Sequence, residues 1–124
     1  MRNYLCCLIL LVLAPVSSLL ASPLQEGLRA YEAGNYPAAQ RHWSPLAEQG
    51  DADAQYNMGL LFLNGRGVPQ DERAAGEWFK KAARQGSADA QYNLGVLYYK
   101  GRGLARSSRD ALLWWTVAAD KSHA

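Results

Sequence analysis

Between Ala52 and Asn64 apolar residues fall at 54, 58, 61 and 62, and between Ala88 and Lys100 at 90, 94, 97 and 98. Steps of four and three gather them on one face of a helix, whereas a half-buried strand would alternate. Gly65 and Gly101 follow, where a left-handed residue ends a helix. Val68-Pro69-Gln70-Asp71 comes next. Pro69 forbids continuation and Asp71 can cap a new helix. In the later segment Ser107 takes the place of Asp71, and its spacing to Asp110 is that of a capping-box-like pair. The second helices are therefore predicted over Asp71 to Gln85, closed by Gly86, and over Ser107 to Lys121.

These two helix pairs are copies. Ala52-Asp53-Ala54-Gln55-Tyr56-Asn57-Met58-Gly59 returns as Ala88-Asp89-Ala90-Gln91-Tyr92-Asn93-Leu94-Gly95, an offset of 36 residues. Gly65-Arg66-Gly67 returns as Gly101-Arg102-Gly103, Trp78 as Trp114, and Ala82-Ala83 as Ala118-Ala119. A fixed period of this length marks a stacked repeat, in which each unit buries its apolar face against a neighbour. A weaker third unit comes first. Trp43 precedes Phe79, Ala47 precedes Ala83, and Gln49-Gly50 precedes Gln85-Gly86 by the same offset. Its first helix is expected from about Leu24 to Ala33, with a short link Gly34-Asn35-Tyr36. Pro45 should remove one backbone bond and kink its second helix toward Arg41.

The sequence thus predicts an all-α solenoid of three antiparallel helix pairs, at about 24–49, 52–86 and 88–121. Gly59 and Gly95 lie mid-helix, where glycine costs roughly 1 kcal/mol against alanine. Close approach of the partner helix, through Ala82-Ala83 and Ala118-Ala119, would compensate. Trp78, Phe79, Trp114 and Trp115 are expected to fill the space between units, and His42 falls at the Trp78 position.

Composition narrows the function more than the fold. Formal charge is +2 with signs interspersed, which gives neither a nucleic-acid footprint nor a polybasic membrane patch. Leu5 to Val16 is almost unbrokenly apolar behind Arg2, and Ser17, Ser18, Ala21 and Ser22 supply small residues. This is the pattern of a secretory signal peptide over 1–21, followed by a domain over 22–124 in the periplasm or outside the cell. An uncleaved anchor is the alternative. Cys6 and Cys7 lie inside the apolar run, so the remaining chain has no thiolate for a disulfide or metal site. His42 and His123 have no clustered acids, and no metal ligand set, cofactor or catalytic residue is expected. The Gly-Arg-Gly turns follow a helix rather than a strand, which argues against a phosphate loop. Arg66 and Arg102 are either solvated loop cations or anion contacts.

Ala-x-Ala-Gln-x-x-Leu-Gly, then Gly-x-Gly-Val, then Asp, then Trp and Lys-Ala-Ala-x-Gln-Gly resembles the Sel-one-like repeat, a longer-looped relative of the tetratricopeptide repeat. The resemblance is strong over 50–119 and weaker over 24–49, whose short turn is closer to the tetratricopeptide form. It implies a right-handed superhelical scaffold that binds proteins or peptides, often in the bacterial envelope. It also implies a concave face built by the first helix of each pair. On that alignment Asp53, Tyr56, Leu60, Leu63 and Asn64 point inward, repeated as Asp89, Tyr92, Val96, Tyr99 and Lys100. Leu28, Tyr31 and Glu32 take equivalent places in the first unit.

Such a groove suits a peptide, because tyrosine offers contact area at low entropic cost. Equally, Tyr56 and Tyr92 could pack between neighbouring first helices. A second surface emerges where the copies differ. Gly76, Glu77, Lys80 and Lys81, expected outward or half-exposed, become Leu112, Leu113, Thr116 and Val117. A terminal repeat normally gains polar residues, and only Asp120 to His123 follow as possible cover. Leu112, Leu113 and Val117 are therefore expected to contact another chain, either a homodimer partner or a different protein. The leading function is a non-enzymatic protein–protein scaffold or adaptor of the cell envelope. The alternative is a peptidoglycan or polysaccharide binder using the tyrosines.

Overall fold

Six helices follow one another in the computed structural model, which describes residues 20–122: α1 (Pro23–Glu32), α2 (Tyr36–Glu48), α3 (Ala52–Asn64), α4 (Glu72–Arg84), α5 (Ala88–Lys100) and α6 (Ser108–Ser122). No strand occurs among the described residues. The apolar run from Leu5, with Cys6, Cys7 and residues 1–19 of the expected signal peptide, lies outside them, as does His123. No described helix is long and apolar enough to cross a membrane.

The helix starts follow the polar punctuation of the chain. Asn35, Asp51, Asp71 and Ser87 each accept the backbone N–H three residues on, so one of the free amides in the first turn of each helix is satisfied. Ser107 accepts from Asp110 N at 3.1 Å. Ser22 and Gln25 form a reciprocal capping box ahead of Pro23, which the apolar pattern did not foretell. Gly65 and Gly101 end α3 and α5 at φ 64° and 67°. Helix α2 runs continuously through Pro45, and its first residue is Tyr36, so the link is only Ala33, Gly34 and Asn35.

The aromatic residues divide differently from the expectation. Trp43 covers Gly27, Phe79 covers Gly59, and Trp115 covers Gly95, each ring lying on the first helix of its own pair. The rings, not the alanine pairs, occupy the ground that the glycines vacate. Trp43 and Trp115 also donate their indole N–H to the carbonyls of Leu24 and Tyr92, at 3.1 and 3.2 Å. Trp78 and Trp114 cover no glycine and pack on the core cluster of the preceding junction, while Phe79 and Trp43 belong also to the core layer that faces the following unit.

That core has two layers. One joins Ala39, Trp43 and Ala47 of α2 to Ala54, Met58 and Leu61 of α3. The other joins Ala75, Phe79, Ala82 and Ala83 of α4 to Ala90, Leu94 and Leu97 of α5. Phe62 touches both. Small alanines on the second helix of one unit thus meet larger residues on the first helix of the next, which interlocks the stack. His42 is exposed, because no described helix pair precedes α1 to bury it.

The long loops fasten the units. Gly67 (φ 73°) sits against the backbone of Tyr36 and Pro37, and Gly103 (φ 69°) against that of Glu72 and Arg73. In both, a Cβ would collide with main chain rather than with a side chain that could swing aside. Arg102 pairs with Glu72 at 2.8 Å, and Arg66 donates to the Tyr31 hydroxyl at 2.6 Å while lying over the Tyr31 and Tyr36 rings. Leu104 lies on Gly76, which is buried and not half-exposed.

Helix propensity alone would make Gly59→Ala stabilising by about 1 kcal/mol. A Cβ there would stand 2.5 Å from the fully buried Phe79 ring. The expected outcome is a loss of about 2 kcal/mol in urea denaturation, partly recovered by adding Phe79→Leu. A gain in stability for the single variant would show that ring contact does not govern the pair.

Candidate functional site

The three first helices lie side by side and share one face. A depression of about 320 Å³ there is lined by Leu24, Gln25 and Leu28 of α1, Asp53, Tyr56 and Asn57 of α3, and Asp89 of α5. Asp53 and Asp89 are second residues of their helices, which positions both carboxylates at the same end of the face and beside positive helix termini. Both are exposed. Leu24 and Leu28, one turn apart, supply an apolar wall, and Leu28 is 48% exposed. Neither lysine nor arginine lines this depression.

Tyr56 forms its floor. Its ring packs on Phe79 at 5.8 Å, and its hydroxyl accepts from Asn93 Nδ2 of the next first helix at 3.4 Å. Burial raises the Tyr56 pKa above its ordinary 10.0; the Asp89 carboxylate pushes the same way, and the Asn93 hydrogen bond opposes both. Tyr56 therefore packs between adjacent first helices while keeping one edge toward the depression. Its copy Tyr92, with no described helix beyond it, is 59% exposed.

The other sequence-assigned residues lie elsewhere. Tyr31 is held by Arg66, Tyr36 and Trp43, at the loop end of the pair and outside the depression. Leu60 and Leu63 pack partly buried on the second core layer, and Val96 is likewise half-buried. Asn64 is exposed and donates back to Leu60 O at 3.1 Å. Tyr99 leans on Trp115 at 5.7 Å, and Lys100 is exposed beside the C-terminal cap of α5. The helices are about three turns long, so residues near their C-termini cannot reach a depression built at their N-termini. Arg66 and Arg102 are spent on contacts between units.

Leu24, Gln25 and Asn57 were missed by alignment on the mid-helix glycine, since Leu24 replaces a tyrosine and Gln25 serves as a cap. Gln55 and Gln91 were missed too. Both are buried and donate Nε2 to Ala47 O and Ala83 O at 3.1 Å, tying each first helix to the end of the preceding one. Their phase with Met58 and Leu94 was the available signal. Gln85 donates to Gln55 Oε1 at 2.7 Å. Its copy is Lys121, which donates to Gly86 O instead, and Gln91 Oε1 is left buried without a partner.

The end face is the second candidate surface. Arg109, Leu112, Leu113 and Thr116 of α6 line a shallow depression of about 320 Å³. Leu112 is 65% and Leu113 59% exposed, whereas Val117 is half-buried.

The Tyr56 shift fixes a pH dependence. Because the folded state holds this proton more tightly, Tyr56 contributes stability that is full below pH 10 and declines as pH rises through the folded pKa. Absorbance titration should find a tyrosine ionising above the ordinary value of 10.0. Tyr56→Phe should remove it and flatten the alkaline fall in thermal stability. An unchanged titration curve would refute the assignment.

Residues 52–87 and 88–123 each match the Sel1 repeat. The crystal structure of a Sel1 repeat protein from Oxalobacter formigenes superposes with a TM-score of 0.77 at 36% identity, over 84% of this chain and 41% of that one. That of c5321, a protective antigen in uropathogenic Escherichia coli strains displaying an SLR fold, gives 0.76 at 37% identity, over 80% and 22%. The rat and mouse proteins named DAP3-binding cell death enhancer 1 are 40% identical over 45 residues, 36% of this chain and 9% of theirs. The chain thus spans less than half the length of each of these relatives. Sel1 repeat proteins generally mediate protein–protein interaction and are generally non-catalytic scaffolds. With both long-loop units matched and the helical stack shared with solved members, the chain belongs to the Sel1 repeat family.

Proposed function

We propose that this protein is a non-enzymatic adaptor of the bacterial cell envelope that holds a segment of another protein on the shared face of α1, α3 and α5. The observation that carries the reading is the position of the Asp53 and Asp89 carboxylates beside a floor of Leu24, Leu28 and Tyr56. An apolar floor with two carboxylates and no lining cation favours an extended segment bearing lysine or arginine between apolar residues. The amides of Gln25 and Asn57 could satisfy its backbone. The apolar N-terminal run supports export, and the lack of cysteine after it fits a domain held by packing alone. The exposed leucines of α6 add a second protein-contact surface.

A glycan reading needs several open rings. Tyr56 rests on Phe79 and Tyr99 on Trp115, so Tyr92 is the ring best placed for it. The protein platform is therefore favoured.

Pull-down from envelope extract, using protein purified from cells expressing the full chain, tests the proposal. Wild type should recover a partner that Asp53→Asn with Asp89→Asn recovers about tenfold less well, at unchanged helicity. Equal recovery, or none above background, would sink the groove. Sedimentation with purified cell wall, lost on Tyr92→Ala, would favour glycan.

A further inference from the structure

Four residues on the outer side of α6, Arg109, Leu113, Thr116 and Asp120, are spaced four, three and four apart. That is the spacing of a seam between paired helices. Thr116 turns its hydroxyl back onto Leu112 O at 2.8 Å, which leaves its methyl as the outward group. The seam is thus apolar in the middle, flanked by Leu112 and Val117, with one positive and one negative end. The equivalent positions are Arg73, Glu77, Lys80 and Arg84 on α4, and Pro37, Arg41, Ser44 and Glu48 on α2. Only the third unit carries an apolar seam among the described helices.

The two end charges do not serve the helix. Arg109 stands in the first turn of α6 and Asp120 in the last, each the sign that the macrodipole disfavours. Neither enters an ion pair among the described residues. The favourably placed Asp110 and Lys121 point to other sides, and Lys121 is engaged with Gly86.

We infer that α6 pairs antiparallel with α6 of a second copy about a two-fold axis. In this register Arg109 meets the partner's Asp120, and Leu113 meets the partner's Thr116. A parallel pairing would oppose Arg109 to the partner's Arg109. A second copy supplies both complements at once, as an isologous interface requires. Head-to-tail stacking is disfavoured. The first unit has only the short link at Gly34 and lacks the glycine loop that fastens α4 and α2 to their successors. The inference rests on the reading of α6 as a protein-contact surface. One helix pair of this length falls below about 1,200 Å² of buried area, in the weak class, so the dimer is concentration-dependent.

Sedimentation equilibrium of protein purified from cells expressing the full chain, over a roughly hundredfold concentration range, tests it. Wild type should follow a monomer–dimer equilibrium. Arg109→Asp and Asp120→Arg should each weaken it about tenfold by opposing like charges, while the helix, relieved of a dipole conflict, melts no lower than wild type. The double variant should restore wild-type association. Leu113→Glu should be monomeric. Wild type monomeric throughout would overturn the second copy as occupant, as would single swaps without effect or a double variant without rescue. Envelope pull-down with Leu113→Glu separates the readings: a partner lost with this variant while wild type stays monomeric keeps α6 as a surface for a different protein.

Discussion

An aromatic ring laid on a bare stretch of helix backbone is the contact on which this structure depends. Trp43, Phe79 and Trp115 each occupy the space left by Gly27, Gly59 and Gly95. The ring brings the two helices of a pair close enough for the small alanines of α2 and α4 to form flat ground for the next unit. Without the glycine the pair would splay, and the core layers that lie between units would lose their shape. A mid-helix glycine, unfavourable by itself, is therefore offset by the packing it admits.

The loops turn a row of pairs into a rigid stack. Gly67 and Gly103 rest on the main chain at the start of the preceding second helix, and Arg66 and Arg102 reach back to the preceding unit. The buried glutamines Gln55 and Gln91 do the same from within. These contacts hold three first helices parallel on one face, and that alignment brings Asp53 and Asp89, thirty-six residues apart, beside α1. The shared face is a consequence of how units are fastened rather than of a dedicated loop.

The outermost described helices show what fastening leaves open. Tyr92 repeats Tyr56, yet Tyr92 is exposed and Tyr56 half-buried because, among the described helices, only Tyr56 has a following first helix beside it. Lys121 repeats Gln85 and leaves Gln91 Oε1 without its donor. Leu112 and Leu113 stand where α4 has buried Gly76 and exposed Glu77. Identical sequence thus acquires different roles by position, and altered sequence concentrates at the terminal helix.

The repeat period, approximate helix boundaries, glycine ends and the caps at Asp71 and Ser107 were legible in the sequence, because each depends on residues within a turn or two of one another. So was the unusual apolar character of the last helix, because it needed only a comparison of copies. Tertiary structure alone decided which aromatic covers a glycine and which packs only on the preceding junction, since one residue of helical phase separates Trp78 from Phe79. It alone decided that Tyr31 is held by Arg66 while Leu24 joins Asp89. Those juxtapositions come from the angle and spacing at which units stack, set by side chains dozens of residues apart, and no local pattern encodes them.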